Sequence, residues 1–170
     1  MSLIPNLFTA YNAYDHNIGF LLDCPAGCHN YKNRNKIALT ALETKSDYTF
    51  MVDTDMVFPD DTLLRLLRAN KDIIGTTYNK RSMPITPIHN TLREDMGSSP
   101  FPINAIPTGV ILIKTKVFQT MEPPWFAVEW IAGLEFVGPD IYFCRKAIEY
   151  GFTPWLDPTI EVKHIGDYKY

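Results

Sequence analysis

Residues 48–55 read Tyr48-Thr49-Phe50-Met51-Val52-Asp53-Thr54-Asp55. A short apolar stretch runs straight into two acids spaced by two, the pattern of a buried strand that ends at a ligand-binding edge. Extended backbone through Thr54 puts both carboxylates on one side, because side chains alternate with period two. They then sit at the carboxyl end of a strand, where open α/β sheets bind ligands. Paired carboxylates are the hard oxygen ligands that Mg²⁺ or Mn²⁺ takes. The same Asp-x-Asp spacing also occurs in ordinary turns and caps, where the acids are merely solvated.

Working outward, strands and helices alternate. A helix is expected over 6–14 and a strand over 18–23, followed by a helix over 33–45 with Ile37, Ala38, Ala41 and Leu42 at helical spacing. After the acids, Pro59 opens a helix with Asp60 and Asp61 in its first turn, where the dipole favours them. Leu63, Leu64, Leu66 and Leu67 supply its apolar face, and it ends near Asn70. A strand follows over 72–78. The stretch 82–107 is rich in proline, with Gly97, Ser98 and Ser99 inside it, and reads as hairpin and mobile loop. Next come a strand over 109–114, a helix over 115–121 broken by Pro123 and Pro124, and an irregular stretch over 122–138. A helix over 141–150 has Ile141, Cys144, Ala147 and Ile148 as its inner face and stops at Gly151. Short strands over 152–156 and 159–163 close the chain. The alternation predicts one α/β domain over 1–170, with a mixed, mainly parallel sheet flanked by helices.

The composition fits that reading. The chain has 170 residues, 46% of them hydrophobic and 21% charged, enough for one domain with a real core. A net charge of -3 argues against a nucleic-acid binder, which carries a basic face. No apolar run approaches the roughly 20 residues of a membrane helix, and the start lacks the basic and apolar regions of a signal peptide. Three cysteines, an odd and sparse set, fit a reduced, cytoplasmic setting. Cys24, Cys28 and His29 lack a second pair at zinc-finger spacing, so Cys24 and Cys144 read as small core residues.

Four segments, in order, resemble the GT-A glycosyltransferases, in particular the family-two-like enzymes of bacteria and phages. Arg34-Asn35-Lys36-Ile37-Ala38 is similar to the Arg-Asn that opens the helix before the metal-binding strand. Val52 to Leu63 resembles the metal motif and the helix after it, and Pro107-Thr108-Gly109-Val110-Ile111-Leu112-Ile113 the central acceptor-side strand. Gly138-Pro139-Asp140-Ile141-Tyr142-Phe143-Cys144-Arg145 resembles the Glu-Asp-x-x-Phe-Cys segment, followed by Gly151-Phe152, Asp157-Pro158 and His164. Two departures stand out. Pro139 takes the place of the usual Glu. The family's first strand, which holds the nucleotide base, is replaced by Ser2-Leu3-Ile4-Pro5 and a helix, as in a domain shortened at its N-terminus.

The resemblance implies a metal-dependent transfer of sugar from a nucleotide-sugar donor, such as a UDP- or GDP-sugar, to a saccharide or other hydroxyl acceptor. Asp53, Asp55 and His164 would hold Mn²⁺ or Mg²⁺, and Arg34, Asp53, Lys80 and Arg81 would meet the donor's phosphates or nucleotide. Asp140, at a helix start whose dipole stabilises negative charge, would be the general base for the acceptor hydroxyl. Trp125, Trp130 and Tyr142 are candidates to stack on a sugar face, though large aromatics more often fill cores. Two other readings stay open. Phe50 to Asp55 also fits a haloacid-dehalogenase-like phosphatase with Asp53 as nucleophile. A non-catalytic nucleotide-sugar-binding remnant is the other.

Overall fold

The computed structural model describes residues 3–27, 29–78, 97–131 and 135–165. Their elements run α1 (Leu3–Ala13), α2 (Asn30–Glu43), β1 (Tyr48–Val52), β2 (Met56–Val57), α3 (Thr62–Ala69), β3 (Ile73–Thr77), β4 (Phe101–Pro102), β5 (Val110–Lys114), α4 (Thr115–Thr120), β6 (Glu129–Ile131), β7 (Glu135–Val137), α5 (Pro139–Glu149), β8 (Pro154–Glu161) and β9 (Lys163–His164). None of the described helices is long and apolar enough to cross a membrane.

Five strands form the main sheet, in the order β1-β5-β3-β8-β4. The expected mainly parallel pairing is corrected here. Only β3 and β8 pair in parallel, whereas β1–β5, β3–β5 and β4–β8 are antiparallel. β1, β3 and β8 do point the same way, but β5 runs between β1 and β3 in the opposite direction. A fully buried strand has the same apolar pattern whichever way it runs, so the sequence carried no sign of this.

Period two along β5 feeds both faces of the sheet. Ile111 and Ile113 join one core with Ala38, Val117, Phe118, Phe143, Cys144 and Ala147, under α2, α4 and α5. Val110 and Leu112 join the other with Ala10, Leu63, Leu66 and Leu67, under α1 and α3. The result is an α/β/α sandwich. α3 begins at Thr62, not Pro59, so Asp60 precedes the helix and Asp61 is its N-cap residue. Its orphan amides are served partly from outside: the buried Asn6 of α1 accepts from the Leu63 N–H at 2.8 Å and donates to Pro59 O at 2.8 Å.

Several expected elements differ. No strand forms over 18–23, and Phe20, Leu21 and Leu22 are exposed with no sheet neighbour. Cys24 is exposed, unlike Cys144. Of the proline-rich stretch, 82–96 lies outside the described residues, Phe101 lies in β4, and Ile103 and Ile106 belong to no helix or strand but are buried in the core. The irregular 122–138 contains the antiparallel β6–β7 hairpin. In α5 the buried face is Phe143, Cys144 and Ala147, while Ile141 and Ile148 lie outward. The two last strands are one, β8, with a register shift against β3 between Thr76 and Thr77. There Asp157 Oδ1 accepts from Thr159 N–H at 2.9 Å and Oγ1 at 2.6 Å, holding the irregularity that the Asp-Pro pair had suggested as a break.

Candidate functional site

Because β1, β3 and β8 point the same way and β5 opposes them, the ends of β1 and β3 and the start of β5 share one edge of the sheet. That edge is tied together by polar contacts. Asp53 N–H extends the β1–β5 ladder to Gly109 O at 2.9 Å. Gly109 N–H donates to the hydroxyl of Tyr78, just past β3, at 3.1 Å. Glycine is required there: a Cβ at 109 would lie 2.5 Å from Tyr78 Oη and press on Met56 Cε.

Arg34 reaches the same edge from α2, which leaves its side chain buried. Its Nη2 donates to Asp53 Oδ1 at 2.9 Å and to Thr108 O at 3.3 Å. The carboxylate is 39% exposed, so the pair is part solvated and fixes the direction of Asp53 more than it adds stability. Asn35, the next residue, is a pin. It donates to Tyr31 O and Phe126 O at 2.7 Å each and accepts from Trp125 N–H at 3.0 Å and Phe126 N–H at 3.2 Å. Arg34 is therefore held on both sides.

The extended backbone expected through Thr54 is not found: the chain turns there, with Met56 N–H donating to Asp53 O at 3.2 Å, and leads into β2, which pairs with β9 so that Met56 faces His164. Ile165 N–H donates to Asp55 O at 2.7 Å. His164 is thus brought beside the Asp55 turn. Its ring, however, packs edge-on against Tyr78, with centroids 4.7 Å apart. Among the described residues no three His, Cys, Asp or Glu side chains gather as a metal site, so the set Asp53, Asp55 and His164 is not assembled as three ligands. Lys80 and Arg81 lie outside the described residues.

Asp140 stands in the first turn of α5, one residue into the helix that Gly138 and Pro139 begin. Its Oδ1 accepts from Ile141 N–H at 3.1 Å, and that rotamer depends on Gly138, where a Cβ would lie 2.9 Å away. Tyr78 links it to the other residues. Burial pushes the Tyr78 hydroxyl well above its usual range, and the charges of Asp53 and Asp140 raise it further, against smaller lowering effects from the Gly109 N–H and from Arg34. Two carboxylates and a guanidinium, from the end of β1, the start of α5 and the middle of α2, thus act on one buried phenol.

The three stacking candidates separate. Trp125 is core, its Nε1 donating to Met121 O at 2.9 Å and Phe118 O at 3.2 Å. Tyr142 lies beside Arg145 and Lys146. Trp130 is exposed on the hairpin. Tyr78 was not picked out from the sequence. Its available signal was position: a tyrosine at the end of a buried strand, on the sheet edge that carries the Asp-x-Asp.

No family model and no curated protein matches the chain. Among solved structures it resembles the crystal structure of A197 from STIV, with a TM-score of 0.63 and 16% identity over 96% of this chain and 79% of that one. At that identity the likeness speaks to the fold alone.

Proposed function

We propose that the protein is a nucleotide-sugar glycosyltransferase of GT-A type, acting at the sheet edge formed by Asp53, Asp55, Tyr78, Gly109 and Asp140. The observation that carries this is that Arg34 of α2 bridges Asp53 at the end of β1 and the carbonyl of Thr108 before β5, residues from three of the four segments in which the resemblance was read.

In this reading the two carboxylates after β1 face the donor. Their chemistry suits Mn²⁺ or Mg²⁺, which would take its remaining ligands from diphosphate oxygens and water and would neutralise the leaving nucleotide diphosphate. His164 would have to turn from Tyr78 to join them. Arg34 orients Asp53 rather than meeting phosphate directly. Asp140 would accept the proton of the acceptor hydroxyl as that oxygen attacks the anomeric carbon. Tyr78, kept neutral by burial, would hold the shape of the edge without adding charge to it.

The test is a thermal-shift panel of UDP- and GDP-sugars with and without Mn²⁺, followed by transfer assays. Asp55→Ala should abolish the Mn²⁺-dependent shift while the fold survives. Asp140→Asn should keep the shift and lower transfer about 10²–10⁴-fold, the usual cost of losing a general base. A parent protein that binds no nucleotide-sugar refutes the reading. One that binds but neither transfers nor hydrolyses it is a binding remnant.

A further inference from the structure

The β6–β7 hairpin leaves two large aromatic side chains in water. Trp130 is 68% exposed and Phe136 59%. They are direct cross-strand partners, so both project from one face of the hairpin. Their rings meet edge to face with centroids 5.5 Å apart. On the opposite face Val137 is buried, and Glu129 forms an ion pair with Arg145 of α5. The hairpin is therefore fastened to the body by one face while the aromatic face is turned out. Isolated exposed apolar residues are ordinary, but two aromatic rings in mutual contact form a patch.

Two features indicate what would cover it. β7 leads through Gly138 and Pro139 into Asp140, so Phe136 lies four residues from the proposed base, a span of at most about 14 Å of extended chain. The patch thus borders the acceptor side of the site. The charge around it is mixed: Glu129 is paired with Arg145, and Lys146 of α5 donates to the carbonyls of Glu122 and Pro124. Such a surface has no polybasic cluster of the kind that recruits an anionic membrane. It suits a neutral ligand with one apolar face and many hydroxyl donors. A pyranose ring has that form: its C–H face carries partial positive charge toward the negative face of an indole, and its hydroxyls can donate to carboxylates.

We propose that Trp130 and Phe136 form a stacking platform for a neutral saccharide acceptor, which positions the reacting hydroxyl near Asp140. The platform rests on the glycosyl-transfer reading for its role, but its ligand can be tested without it. The full chain is titrated with methyl glycosides of glucose, galactose, mannose and N-acetylglucosamine, and the indole N–H resonance of Trp130 is followed by NMR. At least one glycoside should move that resonance. Trp130→Ala should weaken its binding, and raise its KM as acceptor, about three- to tenfold, the scale of one aromatic contact. Phe136→Ala should act in the same direction and Trp130→Phe less, with the melting temperature as the control for folding. The platform is overturned if no glycoside moves the resonance, if phosphatidylcholine vesicles move it instead, or if Trp130→Ala leaves acceptor KM unchanged. Glycoside binding at Trp130 in a protein that transfers no sugar would uphold the platform and sink glycosyl transfer. Transfer with an unchanged KM in Trp130→Ala would do the reverse.

Discussion

Trp125 and Trp130 stand five residues apart in a stretch that looks uniform, yet they lie in opposite surroundings. Trp125 is 3% exposed, packs edge-on against Phe118 and has its indole N–H doubly accepted. Among the described residues Trp130 meets the ring of Phe136 and is otherwise largely exposed. The difference comes from what holds the backbone around each. Asn35 binds Trp125 and Phe126 through their own amides, whereas the hairpin is joined to α5 by the Glu129–Arg145 pair. The two indoles are equally hydrophobic, so it is the anchoring of the backbone around each that separates them.

The largest effect expected from this contrast is at Trp125. Its replacement by Ala should cost about 3–5 kcal/mol, as for other buried large-to-small changes, and is measured by urea denaturation. A loss under about 1 kcal/mol would mean that the segment is held without it. Asn35→Ala comes next, at about 1–3 kcal/mol, because two backbone amides and two carbonyls lose their partner. If Trp125 fluorescence stays that of a buried indole while stability is unchanged, Asn35 is not the anchor.

Cys144 tests the same core by pH. Burial pushes its thiol from 9.0 up to about 12, with a smaller lowering effect from Ile106 and a raising one from Asp140. The folded state then keeps a proton that the unfolded chain loses. The stabilising effect is full below pH 9 and is lost as pH rises toward 12, at about 1.4 kcal/mol per unit for one proton. Cys144→Ala should flatten that decline relative to the parent in denaturation curves between about pH 8 and about pH 10. Parallel curves would show that the thiol is not buried in solution. Trp130→Ala should give the smallest change, within about 0.5 kcal/mol, as at an exposed site. A larger loss would mean the hairpin face is covered.

The same logic separates what was legible in the sequence from what was not. β1, its terminal acids, the leucine face of α3 and the Gly138-Pro139 start of α5 were readable because each is decided by neighbours in the chain. Residues 18–23 are as apolar as β1 but have no strand beside them, so their propensity had nothing to pair with. β8 forms across Asp157-Pro158 because β3 lies alongside and Asp157 holds the irregularity. At the site, Asp53 and Asp140 could be named from local motifs. The Tyr78 contacts to Gly109 and His164 join residues far apart in the chain and have no local pattern.

The antiparallel placement of β5 also bears on how the chain reaches its native state. β1 and β3 are not neighbours; each borders β5. When synthesis has passed Thr77, the two strands exist with an open slot between them, and the strand that fills it begins only at Val110. Until then both inner edges are unpaired, and closing the slot requires a non-local insertion that forms slowly compared with a hairpin. The strand between β1 and β3 is thus a late arrival, and a nascent chain halted before Lys114 leaves the facing edges of β1 and β3 bare to whatever else is in solution.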